Sequence, residues 1–253
     1  MSGTSQDGST RRVALVTGAG QNIGRAIATE LARDGFHVVV HGRAKREQCD
    51  AVAEEIVAAG GSATVVMGDL GDADMCRDIA AAALGVSGRV DVLVTNAAIR
   101  PQSPFLEMDP AEWREVMEVN FESTVRLAQA TLPSMVEAGW GRIVTFAGMN
   151  AIHGYNGRSH VSASKHALWG LTKSLAKEFG PQGITTNIVS PGPIRSDHDD
   201  PDMTAHINAQ VGRIPVGRLG APEEIAAMVA LLASERGGFI NGQLLQVNGG
   251  TET

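Results

Sequence analysis

From residue 13 onward the chain alternates short β-branched runs with longer helix-spaced segments, and this rhythm limits the possible folds more than any other feature. VALVTG opens as an almost unbroken apolar strand, and Ile23, Ile27 and Leu31 then recur at helical spacing. HVVVHG is a second strand, followed by a helical stretch from about 44 to 59 that Gly60 and Gly61 stop. ATVVMGD, an Ala-rich helix and VDVLVTN come next. A long helical pattern from about 110 to 138 leads into GRIVTFAG, and another from about 160 to 179 leads into ITTNIVSPGP. APEEIAAMVALLAS carries proline in its first turn, and QLLQVNGG is the last strand. Strands this apolar need cover on both faces. The expected fold class is therefore α/β: a single-domain Rossmann-type doubly wound parallel sheet of about seven strands, with helices on both faces.

No repeat or linker divides the 253 residues, so 12–253 is read as one dinucleotide-binding and catalytic domain. Residues 1–11 form a polar leader, expected to be flexible, that has no apolar core of a signal peptide. A formal net charge of -7 argues against holding nucleic acid or an anionic membrane by electrostatics. No apolar run reaches the roughly 20 residues that would span a bilayer. Cys49 and Cys76 lack metal-ligand spacing and fit a reducing, cytoplasmic setting. RSDHDDPD at 195–202 mixes His with Asp, but it reads as a solvated acidic loop, and no metal is expected.

The turn between the first strand and first helix reads VTGAGQNIGRAIA. Gly18, Gly20 and Gly24 there let backbone N–H groups and a helix N-terminus approach a pyrophosphate. The spacing is not G-x-G-x-x-G, so the turn alone is a weak signal. Together with its flanks it resembles the T-G-x-x-x-G-x-G turn of the short-chain dehydrogenase/reductase family, and the resemblance runs from about 12 to 250. Thr17, Gly18 and Gly24 match, with Gly20, Gln21, Asn22 and Ile23 between them. Asn22 stands at the middle glycine position. Asparagine tolerates left-handed backbone better than other non-glycine residues, so the turn is expected to survive.

Further segments extend the resemblance. Asp69 and Leu70 in GDL are similar to the adenine-contacting segment, and Asn96 and Ala97 in TNAAI to the segment beside the cofactor. Asn120 matches the family's helix asparagine, while Pro191, Gly192 and Ile194 in PGPI resemble the stretch that closes over the nicotinamide. Residues from about 195 to 215 correspond to the family's substrate lid. A homotetramer is implied by the same likeness, and Trp169 is expected at a subunit interface. NAD-preferring relatives carry an acid just after the second strand. Here Gly42 takes that place and Arg43 follows it. Arg43 can pair with a ribose 2′-phosphate, so NADP(H) is favoured, with NAD(H) as the alternative.

The family's proton-carrying tyrosine stands four residues before its lysine, and its serine thirteen before the tyrosine. Counting back from Lys165 reaches Val161 and then Gly148. Lys165 and Asn120 remain, and the resemblance implies that Lys165 binds the cofactor through the nicotinamide ribose, but both oxygen-facing groups are gone. Losing a general acid costs about 10²- to 10⁴-fold, and losing an oxyanion donor costs about 10²- to 10³-fold. Candidate replacements are Tyr155, the chain's one tyrosine, together with His153 and His160. His160 sits about 100° around an ideal helix from Val161, so it faces the pocket only if that first turn is distorted. The expected function is an NAD(P)(H)-dependent oxidoreductase acting on a small carbonyl, imine or activated alkene, or the reverse oxidation, through a non-standard proton donor. The alternatives are non-redox chemistry on the same scaffold (elimination, isomerisation, hydrolysis) and cofactor binding without catalysis.

Overall fold

The computed structural model describes residues 11–149, 153–196 and 211–252. Seven strands appear: β1 (Val13–Val16), β2 (His37–Gly42), β3 (Ser62–Met67), β4 (Val92–Thr95), β5 (Gly141–Phe146), β6 (Ile184–Pro191) and β7 (Leu244–Val247). They form one sheet in the order β3-β2-β1-β4-β5-β6-β7, and every neighbouring pair is parallel. Parallel pairing follows from the helical crossovers between strands.

The α-helices whose full span lies among the described residues are α1 (Asn22–Arg33), α2 (Arg46–Ala58), α3 (Ala73–Leu84), α4 (Pro110–Met117), α5 (Ser123–Ala138), α6 (Ser159–Phe179) and α7 (Pro222–Ala233). Strand residues alternate between two cores. Ala14, Val16, Val38, Val40 and Val92 meet Ile27 and Leu31 of α1, Ile56 of α2 and Val229 of α7 on one face. Val13, Leu15 and Val39 meet Ile79 of α3 and Leu127 and Met135 of α5 on the other, with Leu175 of α6 alongside. The expected doubly wound α/β architecture is present.

One element departs from the expected pattern. The apolar spacing from 110 to 138 suggested a continuous helix, but a π-helical turn, Glu118–Glu122, separates α4 from α5. One extra residue per turn swings Asn120 into the protein, where it is 2% exposed. Sheet order reverses between β1 and β4, so the turns leaving their carboxyl ends diverge and open a crevice. In open α/β sheets that is where ligands bind.

Candidate functional site

The glycine turn leaves β1 at this crevice and is held from several sides. His41, buried in β2, accepts the Gly18 N–H through Nδ1 at 3.3 Å and faces the Gly68 carbonyl with Nε2 at 3.1 Å. Those partners require the neutral Nε2–H tautomer, and burial lowers the His41 pKa in agreement. Asn96 donates from Nδ2 to the carbonyls of Thr17 and Gly18, both at 3.1 Å, while the Ala97 N–H donates to Thr17 Oγ1. Asn22 has φ 49°, the only positive value at a non-glycine among the described residues. It takes the left-handed geometry expected of it. A Cβ on Gly24 would overlap the Gly18 carbonyl oxygen and lie 2.8 Å from Asn96 Nδ2. Helix and turn pack too tightly here for any side chain.

This cradle suits a dinucleotide. The N-cap residue of α1, Gln21, makes no side-chain capping bond, and no acid stands in the helix's first turn. The helix therefore presents its positive end to the crevice, as anion binding requires. Beyond β2, Arg43 lies 3.8 Å from Asp69 Oδ2, and both side chains are about half exposed (55% and 50%). Leu70 is buried. A Cβ on Gly42 would overlap the buried Cys49 Sγ, so the thiol fills the volume that an acid at this position would need. Pro191 ends β6, while Gly192 and Ile194 follow it and pair with Val247 and Gly220 respectively. Gln21, Ile23 and Gly20 stand at or beside the start of α1; Gly20 packs against Cys49.

A second group of residues converges from β4, the π-turn and α6. Asn120 Oδ1 accepts the Ile99 N–H at 2.9 Å, and its Nδ2 donates to the Ile99 carbonyl at 2.9 Å and to Ser164 Oγ at 3.3 Å. Ser164 Oγ in turn donates to the Val161 carbonyl at 2.8 Å. One amide thus fixes the β4 exit loop against the residue before Lys165. Lys165 is 3% exposed and has no ion-pair or hydrogen-bond partner among the described residues. Burial, and secondarily the neighbouring Arg100 cation, hold its pKa down to about 7. Val161, one turn earlier on α6, is half-buried. Gly148 has φ 130°, a region that L side chains avoid, and a Cβ there would meet nothing within 4 Å.

The histidine and tyrosine candidates each have partners of their own. His160 is wholly buried, with Nε2 3.1 Å from Glu112 Oε1 and its ring stacked on Trp113 of α4. The first turn of α6 is undistorted, so His160 packs against α4 and does not face the pocket. His153 is exposed and pairs with Glu252 at 3.0 Å. Tyr155 is 39% exposed, with the Arg158 guanidinium 4.9 Å from its ring centre. Trp169 is half-buried beside Lys173, whose Nζ lies 4.8 Å from its ring, and Trp140 is flanked by the guanidinium groups of Arg12 and Arg142. Among the described residues no group of His, Cys, Asp or Glu is arranged to hold a metal. Most of the acidic stretch 195–202 and of the 195–215 lid lies outside the described residues.

Sequence reasoning missed His41, Ser164, Arg100 and Arg158. His41 directly continues the apolar run of HVVVHG, which could have marked it as buried. Nothing local marks the others.

Residues 18–252 match the family described as Enoyl-(Acyl carrier protein) reductase. The 3-oxoacyl-(acyl carrier protein) reductase FabG of Escherichia coli strain K12 is 38% identical over 242 residues, covering 94% of this chain and 96% of that one. The chain is a short-chain dehydrogenase/reductase. Nodulation protein G of Azospirillum brasilense is 36% identical over 95% of this chain and 98% of its own. Among solved members of the family, a Beutenbergia cavernae protein aligns with TM-score 0.86 and 40% identity, covering 95% and 96% of the two chains. It is described provisionally as an NAD(P) dependent gluconate 5-dehydrogenase and contains NADP at low occupancy. A dehydrogenase/reductase from Sinorhizobium meliloti 1021 aligns with TM-score 0.87 and 37% identity over 97% of each chain. Like other short-chain dehydrogenase/reductases, this chain has the fold of an NAD(P)-dependent oxidoreductase. None of its described helices is long and apolar enough to cross a membrane.

Proposed function

We propose that this chain is an NAD(P)(H)-dependent oxidoreductase of small carbonyl, imine or activated-alkene substrates in which Lys165 supplies the proton that family members take from tyrosine. When bound, the nicotinamide cofactor supplies or accepts the hydride. Gly18, Gly20, Gln21, Asn22, Ile23 and Gly24 would cradle its pyrophosphate, with Asp69, Leu70, Asn96 and Ala97 along the adenosine side. Pro191, Gly192 and Ile194 would cover the nicotinamide. NADP(H) is favoured, because Arg43 has only a long contact to Asp69 and because Cys49 occupies the space of a competing acid at Gly42.

One observation carries the proton assignment: Lys165 is buried, unpaired among the described residues and poised with a pKa of about 7 on the same helix face as Val161. A general acid works best with a pKa near the operating pH. In a reduction, Lys165 Nζ would give its proton to the oxygen or nitrogen on which negative charge develops, and would be reprotonated from solvent. Asn120 is read as a positioning residue that sets Lys165 through Ser164. Tyr155 and His153 lie at the surface and His160 is committed to Glu112, which disfavours each as the donor. The backbone at Gly148, φ 130°, suits a residue with no side chain, so the missing serine is built into the loop. By family likeness the assembly is a homotetramer, which fully exposed Phe239 and the exposed Phe105 and Leu106 support as apolar contact surface.

The test is deuterium transfer from 4-deuterated NADPH into product across a panel of carbonyls, imines and activated alkenes. Transfer with the native chain, and its loss in Lys165→Met at saturating NADPH, is the expected result. Tight NADPH binding with no transfer to any panel member would overturn the reading in favour of non-redox chemistry. Arg43→Ala should weaken NADPH binding about tenfold or more while leaving NADH binding unchanged.

A further inference from the structure

The glycine turn is wedged between two neighbours, and only one of them can change its charge. On the β4 side Asn96 donates to the carbonyls of Thr17 and Gly18, and a Cβ on Gly18 would lie 3.1 Å from Ala97 Cα. On the β2 side the Gly18 N–H donates to His41 Nδ1 at 3.3 Å, and the Ala19 N–H donates to the His41 carbonyl at 2.8 Å. Sheet order puts β1 between β2 and β4, so a push from His41 drives the turn against Ala97, where little room is left.

The bonding of the His41 ring leaves it one usable state. Nδ1 offers a lone pair to the Gly18 N–H, while Nε2 carries the proton that meets the Gly68 carbonyl at 3.1 Å. In an imidazolium both nitrogens are donors. Nδ1–H would then point at the Gly18 N–H, donor against donor. His41 is 1% exposed, so the ring cannot turn to water without leaving its seat. Its surroundings favour the neutral form. Burial pushes its pKa below the ordinary imidazole value, and the Gly68 carbonyl and the Asp69 carboxylate oppose this only in part. Asp69 is itself bonded by the Gly71 N–H at 2.9 Å and lies 3.8 Å from Arg43. Cys49 of α2, behind Gly42, and Cys76 of α3, on the face of the sheet that Val39 lines, are thiols that burial keeps protonated. Residues 13–21, β1 and its turn, contain no titratable side chain.

We propose that His41 is a positioning residue that makes cofactor binding proton-sensitive: the glycine turn keeps its pyrophosphate-binding shape while His41 is neutral and is displaced when the ring takes a second proton. This rests on the cofactor reading above and extends it to the regulation of that site by pH. The bond from Ala19 to the His41 carbonyl survives protonation, so the change is a local shift of the turn and not unfolding. The hold is complete above the ordinary imidazole value of 6.5 and is lost as pH falls through the depressed value in the folded chain.

The test is calorimetric titration of the full chain with NADP+ and with NAD+ from pH 8 to pH 5, for the native protein, His41→Asn and His41→Gln. Asparagine sets an amide oxygen where Nδ1 stands and does not titrate, whereas glutamine is long enough for the Gly68 carbonyl but leaves the Gly18 N–H without its acceptor. At pH 8 His41→Gln should bind NADP+ about tenfold or more weakly, and His41→Asn should recover most of that loss. Toward pH 5 the native chain should lose about tenfold or more in affinity beyond what His41→Asn loses. Comparison with the variant cancels titration of the 2′-phosphate, and NAD+, which has none, should show the same difference. Urea midpoints at pH 8 report folding; if His41→Gln does not fold, the native and His41→Asn profiles decide alone. Parallel profiles for those two, or His41→Gln binding as tightly as the native chain, overturn the inference and leave the cofactor reading standing. Tighter native binding in acid also overturns it, because the imidazolium would then be acting directly on the phosphates. No NADP+ binding by the native chain at pH 8 would strike the cofactor reading, and this inference with it.

Discussion

Removing the Asn120 side chain should uncouple the catalytic side of the cleft from the nucleotide side. In Asn120→Ala the Ile99 N–H loses its acceptor, the Ile99 carbonyl its donor, and Ser164 Oγ one of its two contacts. Asn120 is only 2% exposed, so bulk water does not replace these bonds freely. Each buried group left without a partner costs about 1–3 kcal/mol. Two backbone groups of one residue then amount to about 2–4 kcal/mol, allowing for a water that enters the vacated volume. With a urea m-value of about 3 kcal/mol/M for a domain this size, the unfolding midpoint should fall by about 1 M. Equilibrium urea unfolding followed by tryptophan fluorescence measures this, with NADPH titration as the second arm. The glycine turn is held by His41 and Asn96, not by Asn120, so NADPH affinity should stay within about threefold, under 1 kcal/mol. A stability loss below about 1 kcal/mol would refute the idea that this amide bears the join, because such a loss matches an ordinary exposed hydrogen bond. An equal collapse of NADPH binding would refute the separation of the two sides.

Two further outcomes follow from the geometry. Asn22→Val at φ 49° should lose about 1–2 kcal/mol and Gly24→Ala more; thermal unfolding ranks the two. Lys165 titrates near 7 when folded and near its ordinary 10.5 when unfolded, so the unfolded chain binds the extra proton between those values. Stability from this residue is therefore present above about 10.5 and is lost as pH falls toward about 7, and Lys165→Met should flatten that slope in urea unfolding across pH 7 to 10.

Much of the fold was legible because strand and helix periods are local signals. Ile23, Ile27 and Leu31 declare the inner face of α1 from spacing alone, and the nearly unbroken apolar strands declare two covered faces. Asn22 was legible too, since left-handed backbone is a property of residue type and turn position. The π-turn was not: residues 118–122 have helical propensity, and only the demand to bring Asn120 onto Ile99 selects the wider turn. The partner of His160 was hidden for a related reason. Its neighbour Val161 marks the pocket, but the acceptor that claims its ring is Glu112, 48 residues away.

The thiol of Cys49 behind Gly42 bears on how cofactor choice in this chain could change. An acidic residue at 42 is the direct route to reading an unphosphorylated ribose, yet its first carbon would overlap that sulfur. The acid is accessible only after position 49 has shrunk or its side chain has turned away. The two sites are therefore epistatic, and the order of substitutions matters. Screening position 42 alone would discard the variants that a prior Cys49→Ala change makes viable.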